Sequence, residues 1–286
     1  MLDDGLLHKI HAQGNDFILI PQKRYHEFSD LSARQLLAHR RYGIGADQLF
    51  FIDISIKQNT WSASIFNQDG HSASFCLNGL YACACYIHKQ HPHIKQWQIV
   101  LGKQQYNATI NNNEVFIDVP KTYTSSTCTI EKSSITPEVV GTIINIGNQH
   151  LLINKDNYPQ ITLAKLGEQL QQHPLFPDGI NLSFYQKKNI GSIQIQTYER
   201  GCGLTYSCGS AGLATALLNW QQYPETKKIS IHHPGGESTY TKNHDKISMQ
   251  GQYNYVANFN YTSHPYPEKF QALPANAPEI VDQQTE

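Results

Sequence analysis

This 286-residue chain reads as a mixed α/β (α+β) protein of two similar halves, on three observations. Short β-branched and aromatic runs alternate with a few amphipathic stretches, the pattern of mixed sheets carrying few helices. Local features recur in order at a nearly constant spacing, the mark of an internal repeat. The length itself suits two domains at roughly 100 to 200 residues each.

Strands are expected at 17–21, 48–54, 62–67, 98–101, 115–119, 143–146, 193–198 and 229–232, where β-branched and aromatic residues cluster or alternate. Helical periodicity is clearest at 32–41, 77–89, 164–172 and 209–221. In the last of these Leu213, Ala216, Leu217 and Trp220 fall at i, i+3, i+4 and i+7.

The repeat is read from four matched features. Gly14-Asn15 recurs as Gly147-Asn148, Phe66 before a polar turn as Tyr198, Cys76 before a helix as Cys208, and Gln48 beside a strand as Asn181, each at an offset of 132 or 133 positions. Two lobes are therefore expected, spanning 1–118 and 119–251, with a strand near 252–262 returning to complete the first. The segment 263–286, with Pro265, Pro267, Pro274 and Pro278, shows neither period and is expected to be a tail.

Composition narrows function. Lys and Arg total 22 against 23 Asp and Glu, so there is no basic footprint for a nucleic-acid backbone or an acidic membrane surface. No run approaches the roughly 20 apolar residues of a membrane span. The opening MLDDGLLHKIHAQG does not read as a secretory signal, so a cytoplasmic, reducing setting is expected. The six cysteines then read as thiols, and their spacing is a weak match to any zinc motif.

An isolated Cys is most often a small buried hydrophobe, and Cys83, Cys85 and Cys128 are read that way. Cys76 and Cys208 differ because each follows a strand and a Gly-containing polar turn and opens a helix. Unsatisfied N–H groups and the helix dipole at such a terminus favour a thiolate and can hold a carboxylate. Two such thiols facing each other suit inversion of a carbon centre, with a base on one face of Cα and an acid on the other. No phosphate loop or nucleophile elbow competes with this reading.

Around these residues the sequence resembles the diaminopimelate epimerase family. The resemblance is colinear to about Tyr261 and is carried by HAQGNDF (11–17), GIGADQ (43–48), FNQDG with CLNG (66–79), GNQH (147–150), GINLSF (179–184), YERGCG with SCGSA (198–211) and HPGG (233–236). It implies two lobes, each a mixed sheet curled around a central helix, and catalysis between them without a cofactor or metal. It also implies acid and base roles for Cys76 and Cys208, supported by His150 and Glu199. The backbone at Leu77, Asn78, Gly209 and Ser210 would hold the reacting carboxylate. Asn15, Gln48, Asn67, Asn148, Asn181, Glu199 and Arg200 match substrate-binding positions. The implied activity is interconversion of LL- and meso-diaminopimelate in lysine and peptidoglycan precursor synthesis. The expected partner is a small amino acid, and a homodimer is left open.

The sequence also departs from the family pattern. Leu77 replaces the Gly of C-G-N-G, Tyr81 stands where Arg usually follows, Leu204 replaces Glu, Ala211 replaces Gly and Gln149 replaces Pro. Two alternatives stay open: a cofactor-independent racemase of another amino acid, such as histidine, and an inactive ligand-binding relative.

Overall fold

The computed structural model describes residues 5–112, 114–119, 122–132, 138–243 and 246–261. The expected tail at 263–286 lies outside them. Eight strands and two helices make the first half: β1 (Leu7–Ala12), β2 (Asn15–Pro21), α1 (Leu31–Ala38), β3 (Gln48–Ser55), β4 (Thr60–Asn67), β5 (Ser72–Ala73), α2 (Leu77–Gln90), β6 (Gln96–Leu101), β7 (Gln104–Asn111) and β8 (Glu114–Val119). The second half runs β9 (Thr124–Ile130), β10 (Val139–Asn145), β11 (Gln149–Asn154), α3 (Leu163–Leu170), β12 (Asn181–Asn189), β13 (Ser192–Glu199), β14 (Gly203–Thr205), α4 (Gly209–Gln222), β15 (Lys228–His233), β16 (Gly236–Asn243) and β17 (Lys246–Gln250). The described chain closes with β18 (Tyr253–Phe259).

From α1 onward the two lists superpose at an offset of 132 or 133: α1 on α3, β3 on β12, β4 on β13, α2 on α4, and β6 to β8 on β15 to β17. Pairing repeats as well. β2–β3 and β11–β12 are parallel, β3–β4 and β12–β13 antiparallel, β4–β6 and β13–β15 parallel. The outer strands are exchanged: β9 follows β8 but pairs with β10, and β18 follows β17 but pairs with β1. β8 pairs with β17 through Val119↔Ile247 and Ile117↔Met249, joining the halves into one hydrogen-bonded network.

The sequence dictates this layering locally. β2 reads NDFILIP and is buried on both faces, as a strand covered on each side must be, whereas β6 reads QWQIVL and alternates exposed with buried. α2 is buried from Leu77 through His88, with apolar and small residues on every side, so it has no solvent face. α4 is likewise buried over most of its length. These two helices share one core with β6, β8, β15 and β17, while α1 and α3 pack in separate clusters on outer faces.

Several strands escaped the sequence reading, among them β7 (QQYNATIN) and β9 (TSSTCTI), because they are polar and largely exposed. Backbone hydrogen bonds hold most of their length, and burial is confined to Ala108, Ile110 and Ile130. α1 ends at Ala38, three residues before the expected helix end, where His39 turns to extended geometry. Among the described residues no helix is long and apolar enough to cross a membrane.

Candidate active site

Cys76 and Cys208 are the N-cap residues of α2 and α4, both with extended backbone before the first helical turn. The helix starts meet each other. A Cβ added to Gly209 would lie 2.6 Å from Asn78 Oδ1 and 3.2 Å from Leu77 Cβ, so the first residue of α4 has room only for hydrogen. Asn78 fastens the junction, donating from Nδ2 to Ser207 Oγ at 3.1 Å and to the Ser207 carbonyl at 3.3 Å. Ser207 in turn donates to Gln13 Oε1 at 2.9 Å.

Each sulfur has its own acceptor. Cys208 Sγ donates to Glu199 Oε2 at 3.1 Å, and Thr205 Oγ1 donates to Glu199 Oε1 at 2.7 Å. Cys76 Sγ lies 3.9 Å from Asn15 Oδ1 and accepts from the Gly79 N–H at 3.4 Å. Ser210 Oγ lies 3.4 Å from Cys208 Sγ and accepts from Asn148 Nδ2 at 3.4 Å.

The helix termini leave neither thiol lowered, so they do not supply the one thiolate that the sequence reading sets beside a thiol. Burial pushes the Cys76 thiol up to about 12, opposed by the Gly79 amide and reinforced by the charges of Glu199 and Asp47. Burial and the neighbouring Glu199 raise Cys208 well above the ordinary thiol value. Desolvation thus outweighs the helix ends, and both sulfurs rest as thiols. Glu199 is itself raised, chiefly by burial, which narrows the gap to the thiol it accepts from.

The other expected residues fall into three groups. Gln48 and Asn67 face each other across β3 and β4, with Gln48 Nε2 donating to Asn67 Oδ1 at 2.9 Å. Asn181 donates to the Gln149 carbonyl at 3.1 Å and accepts from the Arg200 N–H at 3.0 Å, while the Arg200 side chain is exposed. His150 sits beside Asn181 in the β11–β12 register, fully buried, and neither ring nitrogen has a hydrogen-bond partner among the described residues. Burial, aided by the Arg200 charge, lowers it to about 3, so the imidazole is neutral.

The departures from the family pattern have structural places. Leu77 is only 2% exposed and belongs to the shared core. Tyr81 is buried with its hydroxyl donating to the Gly251 carbonyl at 2.7 Å, tying α2 to the turn before β18. Ala211 is fully buried, whereas Leu204 is half exposed. Sequence reasoning missed Asp47, Thr205, Ser207 and Gln13 as neighbours of the site. Asp47 lies inside the GIGADQ motif, so position in a motif was the available signal.

The fold is that of a class of two-lobed proteins that includes racemases and epimerases. A probable proline racemase from Agrobacterium radiobacter matches with a TM-score of 0.66 at 12% identity, covering 92% of this chain and 94% of that one. A PhzF-family phenazine biosynthesis protein from Bacillus anthracis matches with a TM-score of 0.64 at 13% identity, covering 89% and 97%.

This chain belongs to the diaminopimelate epimerase family: the model of that family matches residues 7–119 and 142–256. The diaminopimelate epimerase of Legionella pneumophila (strain Paris) is 31% identical over 244 residues, 80% of this chain and 88% of that one. That of Carboxydothermus hydrogenoformans is 28% identical over 271 residues, covering 86% and 98%. The protein is thus an isomerase of the epimerase type.

Proposed function

We propose that the protein interconverts LL- and meso-2,6-diaminopimelate by two-base proton transfer at Cα, serving lysine and peptidoglycan precursor synthesis. The observation that carries the reading is the meeting of two helix starts, each with a cysteine at its N-cap position whose thiol has its own acceptor. A substrate α-carboxylate at that junction would take hydrogen bonds from the first-turn N–H groups at Leu77, Asn78, Gly209 and Ser210. Those groups have no partner within their own helices, and the positive helix ends offset the charge that develops when Cα loses its proton.

In one direction Glu199 takes the Cys208 proton, the thiolate removes the Cα proton, and the Cys76 thiol delivers its proton to the opposite face. The other direction is the same path reversed: the Cys76 thiolate removes the Cα proton, the Cys208 thiol delivers its proton to the opposite face, and Glu199 returns its proton to Cys208. Neutral His150, with two unsatisfied nitrogens in the second half, is suited to orient the substrate or Cys208 without adding charge. Gln48, Asn67, Asn148 and Asn181 offer neutral donors and acceptors, and Arg200 offers a fork for the distal carboxylate.

The test is incubation of reduced protein with LL-diaminopimelate in D2O, followed by proton NMR. Loss of the α-proton signal in wild type, and its persistence with Cys76→Ala or Cys208→Ala, supports the proposal. No exchange with folded, reduced wild type overturns it for this substrate. Exchange with histidine or another single-headed amino acid instead assigns a different racemase, and binding without exchange assigns an inactive relative.

A further inference from the structure

The two sulfurs are served unequally. Cys208 meets a carboxylate directly, whereas Cys76 meets an amide, and an amide can present either oxygen or NH2. What decides its orientation is Asp47. Its carboxylate accepts from Asn15 Nδ2 at 2.7 Å through the same oxygen that accepts the Asp16 N–H at 3.0 Å, and its other oxygen accepts from Arg40 Nη2 at 2.5 Å. Asp47 is pinned in turn, because its own N–H donates to Asp16 Oδ1 at 2.9 Å while Arg40 donates to both Asp16 oxygens at 2.9 Å.

An ionised carboxylate only accepts, so Asn15 must turn its NH2 toward Asp47 and its oxygen toward Cys76. We propose that Asp47 is a positioning residue that fixes the polarity of the Asn15 amide and thereby holds Cys76 as the thiol that donates when Cys208 acts as the base. The assignment rests on and deepens the two-thiol reading above, naming the group that keeps the Cys76 proton in place before substrate arrives. Asp47→Asn removes the constraint. An amide at 47 can offer its oxygen or its NH2, so Asn15 becomes free to invert and donate to the Cys76 sulfur, which favours the thiolate.

The readout is alkylation of each cysteine by iodoacetamide across pH, quantified peptide by peptide by mass spectrometry. It reports thiolate and needs no turnover, so it stands apart from whether diaminopimelate is the substrate. Two charges act on Cys76, those of Glu199 and Asp47, and Cys83 is a neighbouring thiol. Losing the Asp47 charge by itself also lowers Cys76, so Asp47→Asn is compared with and without Asn15→Ala, and a shift no larger with Asn15 present than without it overturns the proposal. Asp47→Asn is expected to lower the Cys76 midpoint by about one unit, a tenfold faster alkylation below the midpoint, while Cys208 in the same molecule stays within a few tenths. The exchange Asn15→Asp with Asp47→Asn restores an acceptor beside the sulfur and is expected to return the Cys76 midpoint to the wild-type value or above. An unchanged Cys76 midpoint in folded Asp47→Asn overturns the proposal, as does an equal shift of both cysteines, which would report general loosening. If Asp47→Asn does not fold, the double exchange decides alone: a Cys76 midpoint below wild type overturns the proposal, and one at or above it supports it.

Discussion

Gly209→Ala tests the junction on which the site depends. Gly209 is the first residue of α4, its φ is not positive, and alanine would gain up to about 1 kcal/mol of helix propensity if space allowed. Space does not allow it. The new methyl would stand 2.6 Å from Asn78 Oδ1, and Asn78 cannot withdraw without giving up its bonds to Ser207. Overpacking of this kind costs about 1–3 kcal/mol, which leaves a net loss of up to about 2 kcal/mol once the full propensity gain is subtracted. For a chain of this size that lowers Tm by up to about 8 °C. The larger effect is on turnover. If the start of α4 yields, Cys208 shifts relative to Cys76, and a misplacement near 1 Å costs about 100-fold in kcat. Thermal unfolding by circular dichroism and the D2O exchange rate together read both effects. A Tm within a degree of wild type, with exchange within twofold, would refute the close approach of the helix starts.

Cys76→Ala and Cys208→Ala should each lower the exchange rate by about 100- to 10,000-fold, the range for losing a positioned acid or base, while the far-ultraviolet circular dichroism stays that of the wild type. Glu199→Gln removes the charge that raises Cys208, so the pH midpoint for alkylation of Cys208 should fall; a rise would contradict the contact. Leu77→Ala should cost about 2–5 kcal/mol in urea unfolding, since Leu77 is buried, and near-neutrality would place that side chain outside the core. Asp16 is lowered from 3.8 to about 2, because the Arg40 and Lys9 contacts overcome the opposing effect of burial. A depressed carboxyl stabilises the fold above its unfolded pKa and loses that contribution as pH falls toward the folded one. Asp16→Asn should therefore flatten the acid limb of stability between about pH 4 and pH 2.

Much of the fold was legible because the signals were local. The apolar run of β2, the periodicity of α4, and the matched Cys76 and Cys208 contexts all sit within a few residues. The polar strands were not legible, because β7 and β9 carry few apolar residues and owe their conformation mainly to backbone pairing with the strands next to them. At the site, Cys76, Cys208, Asn15 and Glu199 were read as candidates and lie in the contacts described. Asp47 was passed over because its place in the GIGADQ motif does not say what it faces, and only the pairing of β2 with β3 puts it against Asn15.

The protonation of the thiols marks the boundary most sharply. Sequence by itself determined that two cysteines open two helices in equivalent positions of a repeat, since capping position is a property of neighbouring residues. It pointed to one thiolate beside one thiol, because a helix terminus is a local electrostatic feature. Tertiary structure alone decided that both are thiols, that Glu199 serves one and Asn15 the other, and that Leu77 is received into the core. Desolvation depends on everything packed around an atom, and here that packing comes from both halves of the chain.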